Sequence, residues 1–292
     1  MPTVDHVRVI LIHWNQPAAC LETIENFRHQ GVHVVFTVVD NDSEPAKLAE
    51  LRAGLPADVT LLEQDANLGF GPGSNAGLSH WLEHDHSEWA AVAPHDARPG
   101  DKALARMVDG LVDQPDVGLV SADVGDHRTP IVHPYLGSID APQQRLEGFE
   151  EADYAHGTLH LFRRPCLRQI GLFDERYFAY CEEADLGLRA KAAGWRVGIM
   201  RGAEVRNPHV GTPHPTIDYL KERNTLLLLS VHYGPAQVAY RTGVLLWQLV
   251  TGVVDPSLRG DYFSARARVQ ALFDAARGRF GPPPMSVTAH RG

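Results

Sequence analysis

The pattern that most narrows what this chain can become is an apolar run, a helical stretch and a second apolar run at its start. Val7-Arg8-Val9-Ile10-Leu11-Ile12-His13-Trp14 reads as a buried strand, closed by Asn15-Gln16-Pro17. A helix from about Ala18 to Gln30 follows, and Val32–Val39 forms a second strand ending in Asp40-Asn41-Asp42-Ser43. Two such strands joined by a helix make a βαβ unit with a right-handed crossover. Ligands of such sheets sit beyond the carboxyl ends of the strands. Trp14-Asn15 and the polar cluster at 40–43 should therefore share a crevice. Asp40 taken alone is equally well a turn or helix-cap acid.

The alternation continues. Val59–Glu63 is a third strand, followed by the glycine-rich run Asn67-Leu68-Gly69-Phe70-Gly71-Pro72-Gly73-Ser74-Asn75-Ala76-Gly77 and a helix to about Glu83. This run is neither a dinucleotide fingerprint nor a P-loop, and a turn explains it as well as a phosphate cradle. Trp89–Ala93 is a fourth strand, ending in Pro94-His95-Asp96-Ala97. A carboxylate at that sheet edge suits a divalent metal bridging to a diphosphate. A helix near 101–112 and a strand near 117–121 complete this half, which argues for a mostly parallel sheet flanked by helices. Residues 122–154, carrying Pro130, Pro134, Gly137 and Pro142, read as a long irregular loop.

Beyond the loop lie a strand at 156–162 and a short helix opened by Arg163-Arg164-Pro165. Next comes Tyr177-Phe178-Ala179-Tyr180-Cys181-Glu182-Glu183-Ala184-Asp185, three carboxylates at the start of an amphipathic helix. Acids there complement the helix dipole, which is the ordinary explanation for them. Cys181 beside them has no paired base that would make it a nucleophile. A strand at 195–200 and an apolar helix at 219–232 carrying Arg223-Asn224 follow.

Composition removes several function classes. Hydrophobic residues make up 44% of the 292, which suits a soluble globular protein, and the net charge of −9 argues against nucleic acid as partner. Cys20, Cys166 and Cys181 form no CxxC pair, and the start carries no basic segment before its apolar run, so a reducing cytoplasmic setting is expected. Sixteen His residues include no HExxH or zinc spacing. Arg- and Ala-rich composition points to a GC-rich bacterial source.

Taken in order, these motifs resemble the family 2 glycosyltransferases of GT-A fold, particularly the rhamnosyltransferase-like branch, over about residues 6–232. The resemblance rests on Asp40-Asn41-Asp42-Ser43, on Asn67-Leu68-Gly69-Phe70 with Asn75, and on Pro94-His95-Asp96-Ala97. It continues through Gly157 with Leu161-Phe162-Arg163-Arg164, Gly171-Leu172-Phe173-Asp174-Glu175 and Glu182-Glu183-Ala184-Asp185-Leu186 with Leu188-Arg189, and closes on His209 and Arg223-Asn224. It implies an inverting transfer of a sugar from a dTDP- or UDP-linked donor, rhamnose among the candidates, to an acceptor hydroxyl. Asp40 would contact the nucleobase, with Trp14, Asn15, Asn67, Gly69 and Asn75 around the nucleotide. Trp14 could equally close the core. Asp96 would hold Mg²⁺ or Mn²⁺, with His209 as a further ligand. Glu183 stands at the general-base position, where the family usually has Asp, and Glu182 and Asp185 compete for the role. His156, Gly157 and Tyr180 fall on the acceptor side. The metal motif carries one acid where the family often has two or three.

By the same resemblance, residues 1–234 form the catalytic domain, with a nucleotide-binding half to about 121 and an acceptor-side half from 122. Residues 235–281 read as a helical C-terminal extension and 282–292 as a disordered tail. Residues 236–292 hold seven Arg and three Asp. That extension is read as packing on the catalytic domain or on a dimer partner, with an anionic membrane surface as the alternative. The acceptor is open between a polysaccharide, a lipid-linked glycan and a small natural product. Two other readings stand beside the transferase: a sugar-phosphate nucleotidyltransferase, for which 13–17 lack the glycine- and cation-bearing motif, and a non-catalytic nucleotide-sugar-binding protein.

Overall fold

Strand β1 (Val7–His13) is buried at every position, as a central strand covered on both faces must be. In the computed structural model, which describes residues 6–207 and 212–288, β1 pairs in parallel with β2 (Val34–Asp40) from Val7↔Val34 to His13↔Asp40. Helix α1 (Pro17–Arg28) makes the crossover, with Pro17 in its first turn. Helix α2 (Pro45–Gly54) leads to β3 (Thr60–Glu63), and α3 (Phe70–His84) to β4 (Trp89–Pro94) on the other side of β1. The expected βαβ start is thus present.

The chain continues through β5 (Arg98–Pro99), α4 (Ala103–Asp109), β6 (Val117–Asp123), β7 (Arg128–His133), β8 (Gly137–Pro142), β9 (Gly148–Glu151) and β10 (His160–Arg163). Then come α5 (Arg164–Ile170), α6 (Glu182–Ala192), β11 (Arg196–Arg206), α7 (His214–His232), α8 (Pro235–Val254), α9 (Ala265–Ala276) and α10 (Met285–Thr288). The main sheet runs β3-β2-β1-β4-β10-β6-β11-β5, with β9 also on β11. β10 lies antiparallel between β4 and β6, and β5 and β9 run against β11. The remaining strands share one direction, so the sheet is mixed and mostly parallel, the GT-A arrangement. One apolar core lies under α1 and α4, including Ile24, Phe27, Leu104 and Met107. A second, under α3, α5 and α6, includes Leu78, Trp81, Leu167 and Leu186.

Two expectations give way here. Residues 122–154 are not irregular: β7 and β8 form a hairpin, and β9 joins the main sheet. Beside these backbone ladders stands Arg201 of β11, a fully buried guanidinium. It donates to Glu150 at 2.9 Å, to Asp123 at 3.0 Å and to the Arg128 carbonyl at 2.8 Å. A buried cation must be paired, and these acceptors tie β6, β7 and β9 to it. The tail also differs from expectation. Val287 is buried among Tyr219, Leu220, Ala267 and Ala271, and its carbonyl accepts from Thr216 at 3.0 Å.

The C-terminal helices dock on α7 through buried ion pairs, Arg268 with Asp218 and Arg241 with Glu222. Tyr219 also donates to Asp274 of α9 at 2.8 Å. No helix among the described residues is long and apolar enough to cross a membrane.

Candidate active site

The carboxyl ends of β1 and β2 do meet. Asn15 Oδ1 accepts from the Glu44 N–H at 2.7 Å, and the Asn15 N–H donates to Ser43 Oγ at 2.8 Å. Asp40 faces inward, 1% exposed. His13 Nδ1 lies 2.7 Å from one of its oxygens, and the Ser43 N–H donates to the other at 3.1 Å. Burial drives His13 below the usual imidazole range against the pull of Asp40, so it is neutral at pH 7. Trp14, 48% exposed, lies outside the core, which overturns the core-closing alternative.

The glycine-rich loop is sewn to this crevice by Asn41. Its amide donates to Asn67 Oδ1 at 3.2 Å and to the Gly69 carbonyl at 2.9 Å, and accepts from the Leu68 N–H at 2.9 Å. Asn75 does not join them. Its amide is spent on the Phe173 backbone, accepting from N–H at 3.0 Å and donating to the carbonyl at 2.9 Å, so it braces α3 against the later loop. Gly69 sits at φ 86°, where an added Cβ would collide with the Phe178 carbonyl. The Phe70 N–H donates to that same carbonyl at 2.9 Å. The start of α3 thereby abuts the segment that delivers the carboxylates.

That segment is strained. Phe178, Tyr180 and Cys181 all adopt left-handed backbone, with φ of 65°, 67° and 71°. Such positions cost non-glycine residues about 1–3 kcal/mol each unless the surroundings enforce them. Asn224 of α7 does so: its amide nitrogen donates to the carbonyls of Tyr177, Ala179 and Tyr180 at 2.7, 2.8 and 2.8 Å. Arg223 beside it donates to the Gly281 carbonyl at 2.7 Å, and the Gly281 N–H to the Arg176 carbonyl at 2.7 Å. The motifs carried no role for Asn224. Its signal was an amide buried in the middle of a helix, at the end of the charged run Lys221-Glu222-Arg223 and before the apolar run Leu226–Leu229.

Helix α6 opens on Glu182 and Glu183, and the pair divides. Glu182 is 1% exposed and its Oε2 has no hydrogen-bond partner. Burial pushes it well above the usual carboxylate range, and the neighbouring charge of Glu183 pushes it further. Glu183 is also raised by burial, but the Gly157 N–H, His156 and a hydrogen bond from Glu182 oppose that rise. The two carboxyls titrate as a pair, with both raised by burial and with the groups that favour a charge gathered on the Glu183 side. Gly157 makes this contact: a Cβ there would sit 2.7 Å from Glu183 Oε1. Asp185 is occupied elsewhere, bound by Arg189 at 2.9 Å and by His232 at 2.8 Å, and it ties α6 to α7. Tyr180 is half-buried, and burial drives the Cys181 thiol up to about 12, which leaves it inert. His160, 1% exposed and stacked on Phe162, has no partner on either ring nitrogen, and burial holds it near 3 and neutral.

Asp96 lies just past β4, 6% exposed, beside a His95 whose Nε2 is buried without a partner. Burial also keeps His95 below the usual range. No group of three or more His, Cys, Asp or Glu among the described residues forms a metal cage. One carboxylate with an orphaned imidazole nitrogen nearby fits an ion held largely by a ligand's phosphates and water, as Mg²⁺ commonly is. His209 lies outside the described residues.

A family model described as glycosyltransferase like family 2 matches residues 5–224. The N-acetylglucosaminyl-diphospho-decaprenol L-rhamnosyltransferase of Mycobacterium tuberculosis is 28% identical over 182 residues, 51% of this chain and 58% of that protein. The low-salt glycan biosynthesis hexosyltransferase Agl10 of Haloferax volcanii is 23% identical over 207 residues, 67% of this chain and 64% of that protein. The chain thus spans less than two thirds of the curated relatives it matches. Among solved structures, a Pyrobaculum calidifontis mannosyltransferase with GDP-Man and Mn²⁺ superposes with TM-score 0.59 at 18% identity, covering 94% of this chain and 86% of that one. GalNAc-T7 with UDP, GalNAc and Mn²⁺ gives 0.61 at 10% identity, covering 94% and 55%. At such identities the likeness is one of fold.

Proposed function

The chain belongs to the glycosyltransferase-like family 2, and from that premise we propose an inverting transferase that moves a sugar from a nucleotide-diphosphate donor to an acceptor hydroxyl. A dTDP- or UDP-linked donor, with rhamnose among the sugars, agrees with the rhamnosyltransferase relative. The observation that carries the mechanism is the placement of Glu183 at the start of α6, its Oε1 against Gly157, with Glu182 sealed behind it. Glu183 takes the acceptor hydroxyl proton as that oxygen bonds to the anomeric carbon. The bond from that carbon to the diphosphate breaks, and the nucleoside diphosphate leaves with the electron pair. One displacement from the opposite face inverts the centre. The crevice of Trp14, Asn15, Asn41, Asn67 and Gly69 is the nucleotide side, with Asp40 bracing its wall. His156, Gly157 and Tyr180 form the acceptor side. Asp96 would hold Mg²⁺ or Mn²⁺, which when bound supplies charge to a departing diphosphate.

Glu183→Gln is expected to keep donor binding, read as a donor-induced thermal shift, and to lose transfer by about 10²–10⁴-fold. Glu182→Gln is expected to retain most activity. If Glu182→Gln is instead the silent variant, the base assignment is wrong.

A further inference from the structure

We propose that the outward face of α8 beds into the interfacial layer of a phospholipid bilayer. The inward face of this helix is accounted for by Arg241 paired to Glu222, buried Leu245, and Gly252 packed on Phe263. The other face carries no charged side chain. Its exposed positions are Pro, Ala, Gly, Leu and Val, together with Tyr240 and Trp247. Trp247 is 66% exposed, Val250 62% and Val254 79%. An uninterrupted apolar strip is unfavourable in water, and such strips are often interaction sites.

Three observations select the bilayer as the cover. First, Tyr240 and Trp247 are the exposed rather than half-buried residues of the strip that carry a polar side-chain atom, and Tyr and Trp are the residues that settle where hydrocarbon meets headgroups. Second, the exposed charges after α8 are mostly cationic, Arg259 beyond its end and Arg266, Arg277 and Arg279 on and after α9, the helix tied to α8 through Arg268 and Gln248, against Asp255 and Asp261. An apolar face followed in the chain by a net cationic segment matches an anionic leaflet. Third, a 20-residue helix offers a footprint of about 30 by 10 Å, roughly 300 Å². A stable dimer needs about 800 Å² from each partner.

The strip also points toward the site. Tyr135, at the tip of the β7–β8 hairpin, meets the Tyr240 ring edge-on at 5.2 Å, and Leu136 beside it is exposed. Gly137 of the same hairpin packs directly on Thr225, whose hydroxyl lies 3.9 Å from the Cys181 sulfur, one residue before Glu182. A bilayer on α8 would lie toward the acceptor side. Only this alignment rests on the transferase reading; docking itself does not.

Flotation of the full chain with phosphatidylcholine vesicles containing about 30% phosphatidylglycerol tests it. The chain is expected to float, and Trp247→Glu with Val250→Glu to lower the floating fraction at least tenfold with the melting temperature unchanged. Trp247→Ala, gentler on the helix, is expected to lower it at least threefold. Absence of flotation, or flotation indifferent to these variants, would overturn the proposal. So would light scattering that shows a dimer in free solution which the double variant dissolves, since a second copy would then own the face. None of these readouts needs sugar transfer, so they stand or fall apart from the activity assays.

Discussion

At the scale of single residues, the adjacent acids Glu182 and Glu183 are distinguished by what surrounds them. Glu182 lies sealed and partly unpartnered, while Glu183 has the Gly157 N–H and His156 to favour its charge. Since Glu183 is raised by burial from 4.5, the acid limb of kcat/KM is expected above pH 4.5. A limb below that value would remove Glu183 from the role. Stability carries the opposite sign. A carboxyl whose folded pKa lies above its unfolded one keeps its proton in the native state while the unfolded chain loses it, so stability falls as pH rises past about 4.5. Glu182→Gln cannot titrate. It is expected to melt higher than the parent at pH 8, with the gain shrinking toward pH 4, which a pH series of melting curves measures. The spacing of acids in the sequence marked the triad Glu182, Glu183 and Asp185 but could not rank it. The ranking depends on Arg189 and His232 capturing Asp185, and on Gly157, 26 positions from Glu183, approaching that side chain.

At the scale of elements, α7 governs the start of α6. Three carbonyls converge on one Asn224 amide, and the backbone they belong to is held left-handed at Phe178, Tyr180 and Cys181. Asn224→Ala is expected to cost about 1–3 kcal/mol and to lower kcat while donor KM holds. Asn224→Asp, nearly the same shape but unable to donate to carbonyls, is expected to do no better. If Asn224→Asp keeps full kcat, the clamp is only packing. Local pattern located both helices within a few residues. It could not foresee a clamp between them, since a side-chain donor meeting three carbonyls more than forty residues away leaves no periodic trace.

At the scale of the whole molecule, the acceptor half is organised around one buried cation. Burial works against the charge on Glu150, yet its hydrogen bonds with Arg201 and Thr129 hold it down to about 2. Arg201→Ala leaves Glu150 and Asp123 buried and unpaired, and is expected to cost about 3–5 kcal/mol, read from urea unfolding. Stability owed to Glu150 is present above its unfolded pKa and is lost as pH falls toward 2, so acid should narrow the gap between parent and variant. By itself the sequence determined most of the strands and helices in the nucleotide half, though not α2 or β5, because apolar runs and helical periodicity are local consequences of which faces are covered. It also determined the residue types gathered at the strand ends. Only the tertiary structure decided that 122–154 pairs as strands, that Asn75 braces a loop, that Asp40 turns inward to His13, and that α8 leaves an apolar face outside. Each of those is settled by long-range burial and hydrogen bonding, which act between residues far apart in the chain and so cannot be read from either neighbourhood alone.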